Sequence, residues 1–231
     1  MDRPSSAMVY AAGFGTRMGR LVARKPKPLL EVAGKPLLEH ALEVVEAANF
    51  ETVVVNAHYK ADSIVRFLED RPNVQVLIEA PEILETGGGL ANALPILGPN
   101  PVFTLNSDAV WRGPSPFECL NRDWKPEKMD ALLLVVSLAD SHGHQGSGDF
   151  SMSSDGQLRR SVAARGLVYT GAQIINTDLL AEFGSGAYSI VKVWESVAAK
   201  QRLFGAVYDG LWADAGTPHG LERANSMLAA C

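Results

Sequence analysis

The sequence predicts an α/β protein with a mixed, mainly parallel central sheet flanked by helices and with β-hairpins inserted in its second half. Three observations carry this reading. Apolar runs of four to seven residues alternate with helix-period stretches along the first half, which is the pattern of β-α-β units. Those runs are continuous rather than alternating, as in strands buried on both faces. Further on, Asp155-Gly156 and Asp209-Gly210 each separate two short strand-like runs, as hairpin turns do. Strands followed by helices in this order make a Rossmann-like arrangement.

The elements follow in turn. Ala7 to Ala11 reads as the first strand, and it runs into a glycine loop at Gly13. Pro36 opens a helix whose Leu38, Ala41, Leu42, Val45 and Ala48 fall on one face. Thr52 to Asn56 is a β-branched strand, followed by a helix over about Asp62 to Glu69 and a strand at Val74 to Ile78. Glycines 87 to 89 open the next helix, and Val102 to Leu105 is a short strand ending in Asn106-Ser107-Asp108. Ala131 to Leu138 and Leu167 to Ile175 are strands of the second half. Phe150 to Arg160 and Leu203 to Ala213 are the two hairpins, and the charged stretch Glu118 to Asp130 is a surface. Ser189 caps a helix carrying Lys192, and Thr217-Pro218 caps the last one.

The 231 residues, 47% hydrophobic and 20% charged, suit one domain (1–231) with two functional halves, about 1–110 and 111–231. Lys plus Arg number 21 against 26 acidic residues, a net charge of −5, so no basic field points to nucleic acid. No apolar run reaches the roughly 18–20 residues that span a bilayer, and the N-terminus does not read as a signal peptide. With only Cys119 and Cys231, both read as free thiols, a cytoplasmic protein without membrane partners is expected. The oligomeric state, monomer or dimer, stays open.

Ala11-Ala12-Gly13-Phe14-Gly15-Thr16-Arg17 follows a buried strand, where phosphate-cradling loops are built. It is not a dinucleotide fingerprint, because Met18 stands where the third glycine belongs and Asn56 ends the second strand in place of an acid. No Gly-x4-Gly-Lys-Ser/Thr occurs. Instead Lys25-Pro26-Lys27-Pro28 follows, where two prolines stiffen the chain around an ammonium; taken alone it reads equally as a triphosphate contact or as a solvated basic loop.

With AAGFGTRM and KPKPLLEVAGKPLLEHAL at its start, and with Val55-Asn56-Ala57-His58-Tyr59, Leu84-Glu85-Thr86-Gly87-Gly88-Gly89, Asn106-Ser107-Asp108, Gly148-Asp149-Phe150 and Trp212 to Pro218 in order, the chain resembles the sugar-phosphate nucleotidyltransferase superfamily over nearly its whole length. Glu-Thr-Gly-Gly-Gly, Gly-Asp-Phe and Tyr-Ser-Ile…Trp look most like the bacterial N-acetylmuramate 1-phosphate uridylyltransferase family of cell-wall recycling. The resemblance implies the nucleotide-diphospho-sugar transferase fold and transfer of a nucleotidyl group from a nucleoside triphosphate, UTP first, to a sugar 1-phosphate, N-acetylmuramate 1-phosphate first. Glucose or mannose 1-phosphate with GTP, UTP or dTTP is the alternative within that chemistry. A non-catalytic nucleotide-sugar-binding protein is the alternative outside it.

The resemblance also implies roles. Mg²⁺ is the cofactor, held by Asp108 and Asp214. Arg17 and Lys27, with Asp108, are the catalytic residues. Ala11, Ala12, Gly13, Gly15, Thr16, Asn56, Glu85 and Gly87 lie on the nucleotide side. Gly148, Asp149, Thr170, Gly171 and Lys192 lie on the sugar side. Glu85 reads equally well as a turn-stabilising residue, His58 as a structural histidine, and His142 and His144 as solvent-facing. Two departures stand out: Arg20-Leu21-Val22 replaces the usual Pro-Leu-Thr, and Ser161 with Arg159, Arg160 and Arg165 replaces a Glu-x-x-Lys-like pair. Those arginines either stand in for that lysine, meet a lactyl carboxylate, or solvate the hairpin. The glycines at 143, 146 and 148 are expected to leave space beside the sugar ring.

Overall fold

The computed structural model describes residues 3–98, 100–160 and 166–230. Ser161, Arg165 and Cys231 lie outside them. The strands are β1 (Ser6–Tyr10), β2 (Glu31–Val32), β3 (Lys35–Pro36), β4 (Thr52–Ala57), β5 (Val74–Ile78), β6 (Val102–Asn106), β7 (Ala109–Arg112), β8 (Ala131–Ser137), β9 (Ser141–His142), β10 (Phe150–Met152), β11 (Leu158–Arg160), β12 (Leu167–Ile175), β13 (Leu203–Val207) and β14 (Leu211–Asp214). The helices are α1 (Leu37–Ala47), α2 (Ala61–Leu68), α3 (Glu85–Leu97), α4 (Pro116–Asp123), α5 (Ile190–Ala199) and α6 (Pro218–Ala229). Among the described residues no helix is long and apolar enough to cross a membrane.

The main sheet runs β11-β10-β12-β6-β1-β4-β5, with β8 joining β12 to β13. Strands β6, β1, β4 and β5 are parallel, whereas β12 is antiparallel to both β6 and β8. The chain lays β4 and β5 on one side of β1 and then returns to lay β6 on the other. A crevice opens at such a reversal, outside the carboxyl ends of the strands. The register brings those ends level, since Tyr10 pairs with Asn56 and with Asn106.

Period-two alternation splits the apolar side chains between the two faces. Val9, Phe103, Leu105 and Val55 meet α1, α2 and α4 on one face; Met8, Val54, Val102 and Leu133 meet α3 and α5 on the other. A smaller cluster of Val32, Leu37, Val110, Ala213, Ala224 and Met227 seats α6.

Two expectations are corrected. Leu203 to Ala213 is not a hairpin: β13 runs parallel to β8, and β14 belongs to a separate sheet, β7-β14-β9. Asp209-Gly210 turns the chain from one sheet into the other. Long-range partners decide this, because the open side of β8 accepts β13 while β7 offers β14 an antiparallel ladder. The stretch Glu118 to Asp130 is not all surface either, since α4 lies there. Ser115 caps it by accepting the Glu118 N–H, Pro116 holds its first position, and Phe117 and Leu120 are fully buried.

Smaller shifts concern ends. α3 starts at Glu85, two residues before the glycines, and β8 stops at Ser137, whose hydroxyl caps the next turn. The 150–160 hairpin forms as read from the sequence, with Phe150 opposite Arg160.

Phe50, Phe103 and Phe117 form an aromatic trio with ring centroids 4.6 to 5.5 Å apart, joining α4 to the sheet. Phe117→Ala is expected to cost about 3–5 kcal/mol of stability, the range for deleting a buried ring. Chemical denaturation followed by tryptophan fluorescence measures it; a loss below about 1 kcal/mol would show that α4 is peripheral.

Candidate active site

The glycine loop leaves β1 at the crevice and is tied down from beneath. The Ala11 N–H donates to Asn56 Oδ1 at 2.8 Å, and Asn56 Nδ2 donates to Glu79 Oε1 at 2.6 Å. Glu79 Oε2 in turn accepts the Leu84 N–H at 2.8 Å, just ahead of α3. A buried carboxylate at the end of β5 therefore holds the loop and the start of α3 in one register. Sequence reasoning missed Glu79, and its one signal was an acidic residue directly after an apolar strand.

The far side of the loop is also pinned. Tyr59 Oη donates to the Val22 carbonyl at 3.2 Å and Lys60 Nζ to the Ala23 carbonyl at 2.5 Å, so the Arg20-Leu21-Val22 departure still gives an anchored loop. His58 contacts the Glu79 carbonyl at 2.8 Å through Nδ1 and meets Phe14 edge to face.

The first cleft, about 160 Å³, is lined by Ala11, Ala12, Gly13, Lys27, Asn56, Glu85 and their neighbours. Gly13 is open to this space: a Cβ added there would meet nothing within 4 Å. Gly15, at φ +66°, is pressed against Lys27, whose Cβ would lie 2.9 Å from its own. Gly87 is not part of the lining. It packs under the Tyr188 ring and donates its N–H to the Tyr188 carbonyl at 2.9 Å, so Glu85 and Thr86 face the cleft instead.

Lys27 Nζ meets Asp108 Oδ2 at 2.6 Å, with both side chains mostly shielded from solvent. Pro26 in extended geometry and buried Pro28 fix the backbone on either side. β14 lies antiparallel to β7 with Asp214 opposite Ala109, and the Ala215 N–H donates to the Asp108 carbonyl at 2.8 Å. That ladder unites two aspartates far apart in sequence. A Cβ built on Gly216 would lie 2.7 Å from Arg17 Nη2, 2.8 Å from Asp214 Oδ1 and 3.0 Å from Asp108 Oδ2. Two carboxylates and a guanidinium thus converge on one point.

Their electrostatics differ. Burial works against the Asp108 charge, but the Lys27 ammonium beside it, with Arg17 further off, holds its carboxyl below the usual range. Burial and the Asp108 charge push Asp214 up, against the Gly216 N–H, Arg17 and His144. His144 is therefore not solvent-facing. Its Nδ1 lies 4.0 Å from Asp214 Oδ2, and it lines the same cavity as Arg17 and both aspartates. The pairing of β9 with β14 carries it there, and no short-range pattern announces that pairing.

A second cavity, about 240 Å³, opens beyond Asn106, a residue that also lines the first cleft and the aspartate cavity. Asp149 lines it and accepts the Tyr169 N–H at 3.0 Å. Thr170 faces the aspartate cavity, but its hydroxyl donates to the Leu134 carbonyl at 2.7 Å and holds β12 on β8. Gly171 passes close to the Asn106 side chain. Lys192 is exposed on α5 and lines neither cavity. The glycines at 143 and 148 do not leave space: a Cβ on the first would sit 2.5 Å from the Asp214 carbonyl, and on the second 2.9 Å from the Gly166 backbone. Close packing of the chain on itself is their reason.

A glycine loop at the strand reversal of an open α/β sheet, facing paired carboxylates and fixed cations, is the equipment of nucleotidyl transfer. Residues 7–170 match the MobA-like NTP transferase domain family, and the chain belongs to that family. It is 39% identical to an N-acetylmuramate alpha-1-phosphate uridylyltransferase of Caulobacter vibrioides, over 98% of each chain. It is 32% identical to the protein of that name from Neisseria meningitidis serogroup B, over 97% of this chain and 98% of the relative. The crystal structure of HddC from Yersinia pseudotuberculosis complexed with GMP-PN has the same fold, with a TM-score of 0.77 and 20% identity over 96% of this chain and 99% of that one.

Gly216→Ala tests the convergence. The added methyl lies among the three charged groups, and kcat/KM is expected to fall at least about 100-fold, as when a preorganised charge contact is lost. Steady-state kinetics with a melting control measures this. Activity within about threefold of the unmodified protein would mean that the cluster is not where phosphates react.

Proposed function

We propose that this protein transfers the uridylyl group of UTP to N-acetylmuramate 1-phosphate, releasing pyrophosphate and forming the nucleotide sugar. The observation that carries the chemistry is the convergence of Arg17, Lys27, Asp108 and Asp214 at the junction of the two cavities. The relatives named above support the choice of acceptor and nucleotide.

In this reading the backbone of Ala11, Ala12 and Gly13 receives the base and ribose, with Asn56 and Glu85 beside them. Gly13, Gly15 and Thr16 lead to the triphosphate. Arg17 faces the β- and γ-phosphates, and Lys27 bridges the α-phosphate and the incoming sugar phosphate. An oxygen of the sugar phosphate attacks the α-phosphorus in line; that P–O bond forms as the bond to the bridging oxygen of pyrophosphate breaks, and the electron pair leaves with pyrophosphate. Asp149 takes sugar hydroxyls, with the backbone of Gly148, Thr170 and Gly171 alongside.

Asp108 and Asp214 suit Mg²⁺. Lys27 and the Gly216 N–H engage one oxygen of each, leaving the other oxygens outside those bonds. The two aspartates alone would leave most of the coordination of such a cation to waters and substrate phosphates. When bound, Mg²⁺ neutralises charge on the phosphates. The same reading makes the protein a cytoplasmic enzyme that re-uses a cell-wall sugar.

Two experiments test this. Asp214→Asn is expected to lower turnover by about two or more orders of magnitude with a smaller loss in UTP binding, and Lys27→Ala to cost about 2–4 kcal/mol in kcat/KM. EDTA is expected to abolish wild-type pyrophosphate release and added Mg²⁺ to restore it. Full activity in EDTA, or variants within twofold of wild type, would refute the assignments. The second is a pyrophosphate-release screen of four nucleoside triphosphates against N-acetylmuramate, N-acetylglucosamine, glucose and mannose 1-phosphates. UTP with the muramate ester is expected to give the highest kcat/KM, and an equal or higher value for a sugar without the lactyl group would overturn the acceptor.

A further inference from the structure

The acceptor cavity contains a cation that phosphate chemistry leaves without a task. Arg17 lines the aspartate cavity and Lys27 the first cleft, whereas Arg160 lines the second cavity, together with Tyr10, Asn106, Asp149, Tyr169 and Trp194. Among the described residues of that lining Arg160 is the one cation. The one carboxylate, Asp149, is already engaged by the Tyr169 N–H.

Strand geometry singles it out from its neighbours. β11 pairs with β10 so that Arg160 faces Phe150 and Arg159 faces Ser151. Alternation therefore puts Arg160 on the face of buried Phe150 and Leu158, toward the cavity, and Arg159 on the opposite face beside exposed Ser151. Phe150 lines the same cavity, with Trp194 edge to face against it at 5.8 Å. Among the described residues Arg160 has one side-chain ion pair, Nη1 to Glu195 Oε1 at 3.4 Å, with side chains 41% and 61% exposed. A long, solvent-exposed pair of this kind is weak and readily exchanged.

A neutral sugar ring offers hydroxyls, which the second oxygen of Asp149 can accept, and needs no cation away from its phosphate. An acceptor with a second negative group does. We infer that Arg160 is a specificity-determining residue that binds a carboxylate on the acceptor sugar, exchanging Glu195 for it. This rests on the uridylyl-transfer reading, in which that group is the 3-O-lactyl carboxylate. The planar guanidinium fork matches a carboxylate with two parallel donors, which an ammonium at the same place does not.

The test compares kcat/KM with UTP for N-acetylmuramate 1-phosphate and N-acetylglucosamine 1-phosphate, in the full chain and in Arg160→Gln and Glu195→Gln. Arg160→Gln is expected to reduce the value for the lactyl acceptor by about 10- to 100-fold, through KM, the scale of one charged hydrogen bond. The N-acetylglucosamine ester should stay within about twofold, because it never makes the contact. Glu195→Gln is expected to lower KM for the lactyl acceptor by releasing the guanidinium. An equal loss on both acceptors, or no loss on either, would overturn the assignment of Arg160 while leaving uridylyl transfer intact. Failure of the underlying reading appears separately, as a wild-type protein with no preference for the lactyl acceptor.

Discussion

Two carboxylates brought side by side inside a protein repel each other, and this site holds them there with fixed cations. Against its own burial, the Asp108 carboxyl is held below the usual carboxylate range because Lys27 touches it and Arg17 lies near. Asp214, with the Asp108 charge beside it, is driven the other way. Lys27 cannot be carried away by a backbone shift, since Pro26 and Pro28 fix the chain around it. Nor can the aspartates separate without breaking the β7–β14 ladder. The site is thus a standing arrangement of charge, as a reaction between two polyanions needs.

That arrangement depends on a scaffold which positions backbone as carefully as side chains. The chain of hydrogen bonds from Glu79 through Asn56 to Ala11 N–H sets the glycine loop against the strand ends. Its members are buried, so any rearrangement would leave a polar group unpaired. Beneath the second cavity a similar chain crosses the sheet: Trp194 Nε1 donates to Gln173 Oε1, and Gln173 Nε2 donates to Thr104 Oγ1. These two hydrogen-bond chains lie beneath the cavities, while in the proposed reading Gly13, Arg17 and Arg160 are the groups that meet ligand.

The strand junction divides the labour. The parallel strands β6, β1 and β4 end at the first cleft, to which the proposed reading gives the nucleotide, and the antiparallel strands β12 and β10 line the second cavity, to which it gives the acceptor. Asn106, at the end of β6, stands where the two meet. Gly171 opposite it has no side chain for the same reason: a Cβ there would fall 2.8 Å from that of Asn106.

Most strands and helices were legible in the sequence because local physics decides them. Continuous β-branched runs, helical periodicity, and caps such as Ser189 and Thr217-Pro218 are short-range signals. Lys27 stood out because its prolines are adjacent in sequence, and Asp108 because it follows a strand end. What tertiary structure alone decided were the partners of edges and loops. Whether Asp209-Gly210 closes a hairpin or hands the chain to another sheet depends on β8 and β7, far away in sequence. His144 reads as exposed until β9 pairs with β14, and the glycines at 143 and 148 read as space until the backbones of Asp214 and Gly166 fill it. Glu79 looked like any surface acid, and Arg160 like its neighbour Arg159. Burial and strand parity separate them, and both follow from hydrogen bonds between segments whose proximity no local pattern encodes.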